Sequence, residues 1–521
     1  MLGFSLTYYY FLVFPIALLG FSALRRYGQS IQFTFVTLTS LLFLALADFR
    51  SLLLLVTLVF ANYHLHEYLR SGKQRKIALR LGIVYNLLPL VLLKVTPGLL
   101  GDIAPKSLSF NVLLPLGLAF YALQQITALV DIYKNPSLRM SFSAYCFYSC
   151  FFLTIVSGPI FRYQDAISQY QTRLTKRKRR YFTTKGLSLF IVGLAKFALL
   201  ASPITQHLNV FFTGLTNIEG LQLTFTEGLY IIIGCLVSLY FSFSAFSDMA
   251  IGLALCFGIQ LPVNFDSPLK AKTPTQYINT WHMSFIAFVR IYVFQPVFRA
   301  GKRLPIVQME PRIMLAWSMA VFCSFFITGA WHAPTTFMMW QSALVALLIV
   351  LTQLGLSSSA TSKYRFVFSG FISQGLTRLV IFTTALFFFS PTLDIAVHIV
   401  NSVITPSIIS LSGTFSVLAD PTSSQLLTFN GFFPNYSGFP QTWKAHLYLP
   451  TAGLSLIHLV VALGIAMSMP NTMHIFGLIH SRYASLIEFK WRLSGMQILI
   501  LSVLLYLSID ALEHGQAFTY G

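Results

Sequence analysis

Apolar runs long enough to cross a bilayer fill this chain, and short basic segments separate them. Residues 4–24, 31–47 and 51–68 follow one another with little more than Arg25-Arg26 and Asp48-Phe-Arg50 as charged interruptions. A helix needs about twenty apolar residues to span hydrocarbon. These runs have that length and do not alternate like the ten-residue strands of an outer-membrane barrel. Only 10% of the 521 residues are charged, against about 25% in a soluble protein. So little charge cannot clothe a soluble surface. The expected fold is all-α, a polytopic transmembrane helical bundle of roughly eleven to thirteen spans with shorter re-entrant or surface helices. Residues 1–24 lack a basic n-region and a small-residue cleavage site, so they read as a first span.

The net charge of +20 belongs to the loops. Arg70, Lys73, Arg75, Lys76 and Arg80 form one basic segment. Arg173, Lys176, Arg177, Lys178, Arg179, Arg180 and Lys185 form a second. Arg299, Lys302, Arg303 and Arg312 form a third, and Lys363, Arg365 and Arg378 a fourth. This is the positive-inside pattern, which places these loops in the cytoplasm and the second against anionic lipid. No Lys or Arg occurs between Arg378 and Lys444, so the polar loop 405–441 is expected on the far side. No aromatic-basic platform stands outside the apolar runs, and nucleic acid is not an expected partner. Residues 1–521 read as one membrane-embedded unit without an internal repeat. The five cysteines lie in apolar sequence and read as small buried residues, with no Cys-x-x-Cys zinc framework.

Against this background the stretch from Tyr240 to Trp340 stands out. Residues 228–261 are too long for one straight span and carry Ser242, Ser244, Ser247 and Asp248 mid-run. They are expected to form a tilted or broken helix lining a cavity, because such groups cannot comfortably face lipid. Bends are expected at Pro262, Pro268 and Pro334. Two Trp-His pairs, Trp281-His282 and Trp331-His332, lie about fifty residues apart. Any one membrane histidine is more often a structural hydrogen-bonding group. Two Trp-His pairs in this setting favour chemistry: neutral imidazole is the form a general base needs, and tryptophan supplies a large wall with one donor. Asp248 could orient a histidine, bind a cation or pair with Arg290. No metal is expected, since the spacing matches no ligand motif. The serines lack a glycine-flanked nucleophile elbow.

At these residues the sequence resembles the membrane-bound O-acyltransferase family, in the bacterial branch of alginate O-acetylation and teichoic acid D-alanyl transfer. The resemblance rests on Ser247-Asp-Met-Ala-Ile-Gly252, Phe257-Gly258, Pro262-Val-Asn-Phe265, Trp281-His-Met-Ser284 and Gly329-Ala-Trp-His332. Leu114-Pro-Leu-Gly-Leu-Ala-Phe-Tyr121, Leu129-Val-Asp-Ile-Tyr133 and Ser157-Gly-Pro-Ile-Phe-Arg162 extend it upstream. Phe387-Phe-Phe389 and Pro470-Asn-Thr472 extend it downstream. It implies a core over about residues 62–400, with C-terminal spans in 401–521. After the first histidine this chain reads Phe288-Val-Arg-Ile-Tyr-Val-Phe-Gln-Pro-Val297. Arg290 and Tyr292 remain, but the acidic residue and Gly-Gly of the family pattern are absent.

The resemblance implies His332 as the main catalytic base and His282 as the residue that binds, orients or polarises a thioester. Trp281, Trp331, Asp248, Ser247, Asn264 and Arg290 are the candidate substrate-binding or cavity residues. It also implies an acyl-thioester co-substrate, acetyl-CoA, with no tightly bound cofactor. Membrane lipid, a polysaccharide acceptor and a periplasmic or extracellular SGNH-type acetyltransferase are the implied partners, in a bacterial cytoplasmic membrane. D-alanyl transfer from a carrier-protein thioester is the alternative within the family. A proton-coupled transporter or flippase is the alternative outside it.

Overall fold

The computed structural model describes residues 12–96, 115–155, 158–172, 174–217, 223–305, 308–332, 336–357, 373–405, 451–479 and 495–514. Its helices are α1 (Phe14–Ala23), α2 (Gln29–Ala47), α3 (Phe49–Ser71), α4 (Arg75–Val95), α5 (Leu118–Lys134), α6 (Phe142–Cys150), α7 (Tyr163–Tyr170), α8 (Lys176–Asn217), α9 (Phe225–Cys256), α10 (Pro274–Thr280), α11 (Met283–Gly301), α12 (Met309–His332), α13 (Thr336–Ser357), α14 (Ser373–Phe389), α15 (Leu393–Ile404), α16 (Thr451–Ser468) and α17 (Gly495–His514). Single turns at Phe152–Ile155 and Thr472–Ile475 complete the described elements besides short 3-10 turns, and no strand occurs among them. Among the described residues seven helices are long and apolar enough to cross a membrane: α2, α3, α4, α8, α9, α11 and α12. Five shorter apolar stretches lie in α13 to α17. The loop 406–441, Pro334 and Arg365 lie outside the described residues.

The ends of the helices sort by charge, as the basic loops require. Arg75 Nη2 donates to the Tyr133 carbonyl at 2.6 Å, and Arg70 Nη2 to that of Leu138 at 3.0 Å. Gln29 Nε2 reaches the carbonyl of Tyr170 at 2.7 Å, and Gln169 Nε2 that of Gln260 at 2.9 Å. The corners next to Arg25-Arg26, the α3–α4 turn, the end of α5 and the approach to α8 are thereby gathered at one end of the bundle.

The 228–261 run, expected to be tilted or broken, is not broken. It forms α9, a continuous helix of 32 residues ending at Cys256. Its start is fixed by a capping box, Thr224 receiving the Glu227 amide while the Glu227 carboxylate takes the Thr224 amide. Its polar residues turn inward: Ser238, Ser244, Ser247 and Asp248 are all buried. Residues 285–298 lie within α11, whose Arg290–Phe294 turn is wound as a π-helix.

Helices α8 and α9 form the axis of the bundle. A β-carbon at Gly186 would lie 2.3 Å from the Gly252 carbonyl oxygen, and one at Gly252 would lie 2.5 Å from the Gly186 oxygen. The backbones touch there, as small residues permit in membrane helix pairs. Around this axis the buried apolar side chains form two clusters. One contains α1 to α7, Phe285 and Trp331; the other contains much of α9, α14 and α15, with Trp281 packed against it. The Trp-His segments meet at the seam between the clusters.

Candidate active site

Between α9 and α10 the chain runs without helix from Phe257 to Ser267, yet Leu261, Asn264, Phe265 and Asp266 are buried. Irregular backbone inside a bundle is tolerated only when its polar groups are satisfied. Here the Asp266 amide donates to the Thr280 carbonyl at 3.0 Å, and the Met283 amide to that of Asn264 at 2.9 Å. Pro262 lies in this segment and Pro268 opens the 3-10 turn that follows it, so both bends fall between α9 and α10.

The loop delivers Asn264 beneath His282. His282 precedes α11 with φ of 43°, the left-handed region. That conformation costs a residue with a β-carbon about 1–2 kcal/mol and persists only where the surroundings enforce it. Asn264 Oδ1 accepts from the Ser284 amide at 3.3 Å, the Ser284 hydroxyl at 2.6 Å and lies 3.3 Å from His282 Nδ1. Asn264 Nδ2 donates to Ser247 Oγ on α9 at 2.9 Å. The Ser284 hydroxyl in turn accepts from the Ile160 amide at 3.0 Å. His282 is 2% exposed, and its Nε2 has no hydrogen-bond partner among the described residues.

His332 ends α12 beside the same aromatic ring. The Phe285 ring is stacked on His282 at 5.1 Å and lies 5.9 Å from the His332 ring. The two imidazoles are therefore closer together than the sum of these distances. Trp331 stacks on the same Phe285 ring at 4.6 Å and approaches His282 at 6.4 Å. Phe243 of α9 closes the far edge of His282 at 4.6 Å. His332 itself is half-buried.

Of the other expected residues, Asn264, Ser247 and Trp331 belong to this cluster. Trp281 faces away into Tyr240, Phe265 and Tyr277. Asp248 neither pairs with Arg290 nor orients a histidine. Its carboxylate accepts from Lys196 Nζ at 2.8 Å, and Thr472 Oγ1 lies 3.3 Å from the same ammonium. Two buried charges so close neutralise each other, so Asp248 reads as half of a structural ion pair joining α8 to α9. Arg290 is exposed and bonds Asn279. It follows His282 by more than two turns on α11, which carries it away from the ring cluster.

The sequence reading passed over Lys94. Its ammonium donates to the Trp331 carbonyl and lies 5.7 Å from the Trp331 ring centre. No carboxylate among the described residues pairs with it. A lone lysine deep in an apolar run was the available signal. Ser284 and Phe285 were also passed over as site residues. Ser284 stood within a quoted motif, whereas nothing in the pattern of apolar residues marks Phe285.

The fold and this cluster define a class: a multi-pass helical membrane protein with two imidazoles converging on a buried aromatic wall. No family model matches the chain. It is 27% identical over 446 residues to the peptidoglycan O-acetyltransferase of Helicobacter pylori, covering 78% of this chain and 81% of that one. It is 28% identical over 233 residues to the probable alginate O-acetylase of Pseudomonas aeruginosa, covering 43% of this chain and 42% of that one. It is 24% identical over 351 residues to the teichoic acid D-alanyltransferase of Streptococcus thermophilus, covering 63% of this chain and 78% of that one. The chain thus spans less than half the length of the alginate protein it matches. These relatives are named acyltransferases, and the chain is similar to them in sequence.

Proposed function

We propose that the chain transfers an acetyl group from a thioester to a hydroxyl of a cell-envelope or secreted saccharide, at the site formed by His282 and His332. The observation that carries this reading is the convergence of both imidazoles on Phe285. Acyl transfer to an alcohol needs a group that takes the hydroxyl proton and a group that returns one to the departing sulfur. The thioester is already activated, so the chemistry needs proton handling and orientation more than further activation. The resemblance gives the base to His332. The hydrogen bonds around His282 bear on its share of the work.

O-acetyl transfer is favoured over D-alanyl transfer by the extent of the peptidoglycan O-acetyltransferase match. The proposed donor is acetyl-CoA from the cytoplasm, at the end of the bundle where the basic corners gather. The proposed membrane is the bacterial cytoplasmic membrane, with an SGNH-type acetyltransferase on its far side completing delivery to the polymer. The test is incorporation of labelled acetyl into envelope saccharide by cells expressing wild-type protein or His332→Ala at equal membrane levels. Loss of label in the variant supports the reading. Undiminished label with the variant, or labelled D-alanine in place of acetyl, overturns it.

A further inference from the structure

We infer that Asn264 is a positioning residue that holds His282 in the tautomer with its proton on Nδ1, so that Nε2 meets the acceptor hydroxyl as a hydrogen-bond acceptor. The inference rests on the acyl-transfer reading and changes the division of labour within it.

One group in the cluster has a role that admits no choice. The Ser284 backbone amide can only donate, and it points at the Asn264 side chain at 3.3 Å. The atom it meets must therefore be the amide oxygen, which also leaves the amide nitrogen to donate to Ser247 Oγ at 2.9 Å. His282 Nδ1 approaches that same oxygen at 3.3 Å. An oxygen has no proton to give, so Nδ1 must carry one. In a neutral imidazole the other nitrogen then holds a lone pair. That nitrogen, Nε2, is buried without a partner among the described residues, and a buried polar atom is normally satisfied. The vacant position calls for a donor.

The reacting atoms of a thioester carry no proton. The acceptor hydroxyl does. Neutral His282 therefore cannot polarise the thioester carbonyl by donation through Nε2, the role the resemblance left open. Instead the hydroxyl donates to Nε2 when the acceptor enters. Its oxygen then forms a bond to the acyl carbon, the carbon–sulfur bond breaks with its electron pair leaving on sulfur, and the hydroxyl proton moves to Nε2. The imidazolium so formed keeps its Nδ1–H on Asn264 and returns a proton to the thiolate. The strained left-handed backbone of His282 fits this role, because Asn264 also accepts the Met283 and Ser284 amides and fixes the turn that aims the ring. Phe243, Phe285 and Trp331 supply the apolar faces around the ring. The titratable groups on the surrounding elements are His332 of α12, Lys94 of α4 through the Trp331 carbonyl, and the Lys196–Asp248 pair behind Ser247.

The test uses full-length protein in detergent or vesicles, with Asn264→Ala and Asn264→Asp. Asp keeps the acceptor oxygen for Nδ1 and for the Ser284 amide. Asn264→Ala should lower kcat by about 10²-fold or more, the scale on which loss of a tautomer-holding partner is felt, with KM changed less than about threefold. Asn264→Asp should stay within about tenfold of wild type. It should also move the acid limb of the pH–kcat profile upward by about one unit or more, because an adjacent carboxylate favours the charged imidazole. A limb that does not move in Asn264→Asp, or wild-type kcat in Asn264→Ala, overturns the inference. If the Ala variant does not fold, the limb decides alone. Nitrogen-15 histidine spectra, with His282 assigned by difference against His282→Asn, give a readout that needs no turnover. A proton on Nδ1 in wild type supports the inference even if the proposed substrate is wrong, and a proton on Nε2 overturns it even if acetyl transfer is correct.

Discussion

Trp281-His282 and Trp331-His332 are the same dipeptide in two mechanical settings. The first lies in a corner between helices, where the backbone is left-handed at His282 and an asparagine from another segment holds the ring. The second closes a 24-residue helix, and its backbone partner is Lys94, which holds the Trp331 carbonyl. The tryptophans diverge too: Trp281 packs into the cluster around Phe265, whereas Trp331 stacks on Phe285. One histidine is therefore held rigidly and wholly buried, and the other is half-buried at a helix end. Matching letters do not imply matching duty. What a histidine can do follows from which of its nitrogens is already committed.

The largest expected effect is at the less restrained ring. His332→Ala should lower transfer by about 10³-fold, the scale of losing a group that stabilises the oxyanion forming on the thioester carbonyl, while the protein stays inserted and folded. Acetyl-transfer assays on protein of verified melting temperature check this, and near-normal turnover would break the comparison. His282→Ala removes the proposed proton acceptor and should cost at least as much as Asn264→Ala, about 10²-fold or more. It should also lower the melting temperature, because the lost buried ring leaves a cavity and alanine keeps the left-handed strain. A loss of turnover that disappears when activity is normalised to folded protein would mean that His282 is chiefly a structural group.

Lys94→Met tests the support of the second pair. It removes the donor to the Trp331 carbonyl and a cation at the C-terminal end of α12, where positive charge is favourable. Turnover should fall about tenfold, and the pH limb associated with His282 should stay in place. If that limb moves with Lys94→Met, the two settings are not separable. The smallest effect is expected at Ser247→Ala. Ser247 accepts from the Asn264 amide, but the Ser284 amide still fixes the orientation of that side chain. A change of no more than about threefold in kcat is predicted, on the scale of one neutral hydrogen bond.

The bundle itself was legible in the sequence because the bilayer imposes a length on each apolar run. The inward turn of Ser244, Ser247 and Asp248 was legible for the same reason: lipid cannot solvate them. Of the two forms expected for the 228–261 run, tilted or broken, the broken one was not realised. Cost argues only that polar groups must face inward, and a long continuous helix does that as well as a broken one. Asp248 shows a second limit. Its partner Lys196 is 52 residues away on another helix, and Arg290 was merely the nearer guess in the motif. The prominence of Asn264 was visible as part of Pro262-Val-Asn-Phe265, but its role depends on a loop folding back beneath α11. Periodicity carries no information about such a contact. Lys94 was visible as a misplaced charge, yet its proximity to Trp331 spans 237 positions.

If the two imidazoles beside Phe285 form one reaction centre, the losses from removing each must not multiply. A double-variant cycle on labelled acetyl transfer tests this most directly, comparing wild type, His282→Ala, His332→Ala and the combination in matched vesicles. Residues that act as a unit give grossly non-additive effects. The account predicts that the combined variant is no more than about threefold slower than His332→Ala alone. Losses that multiply, so that the combined variant is slower by the product of the two single effects, would contradict a shared centre.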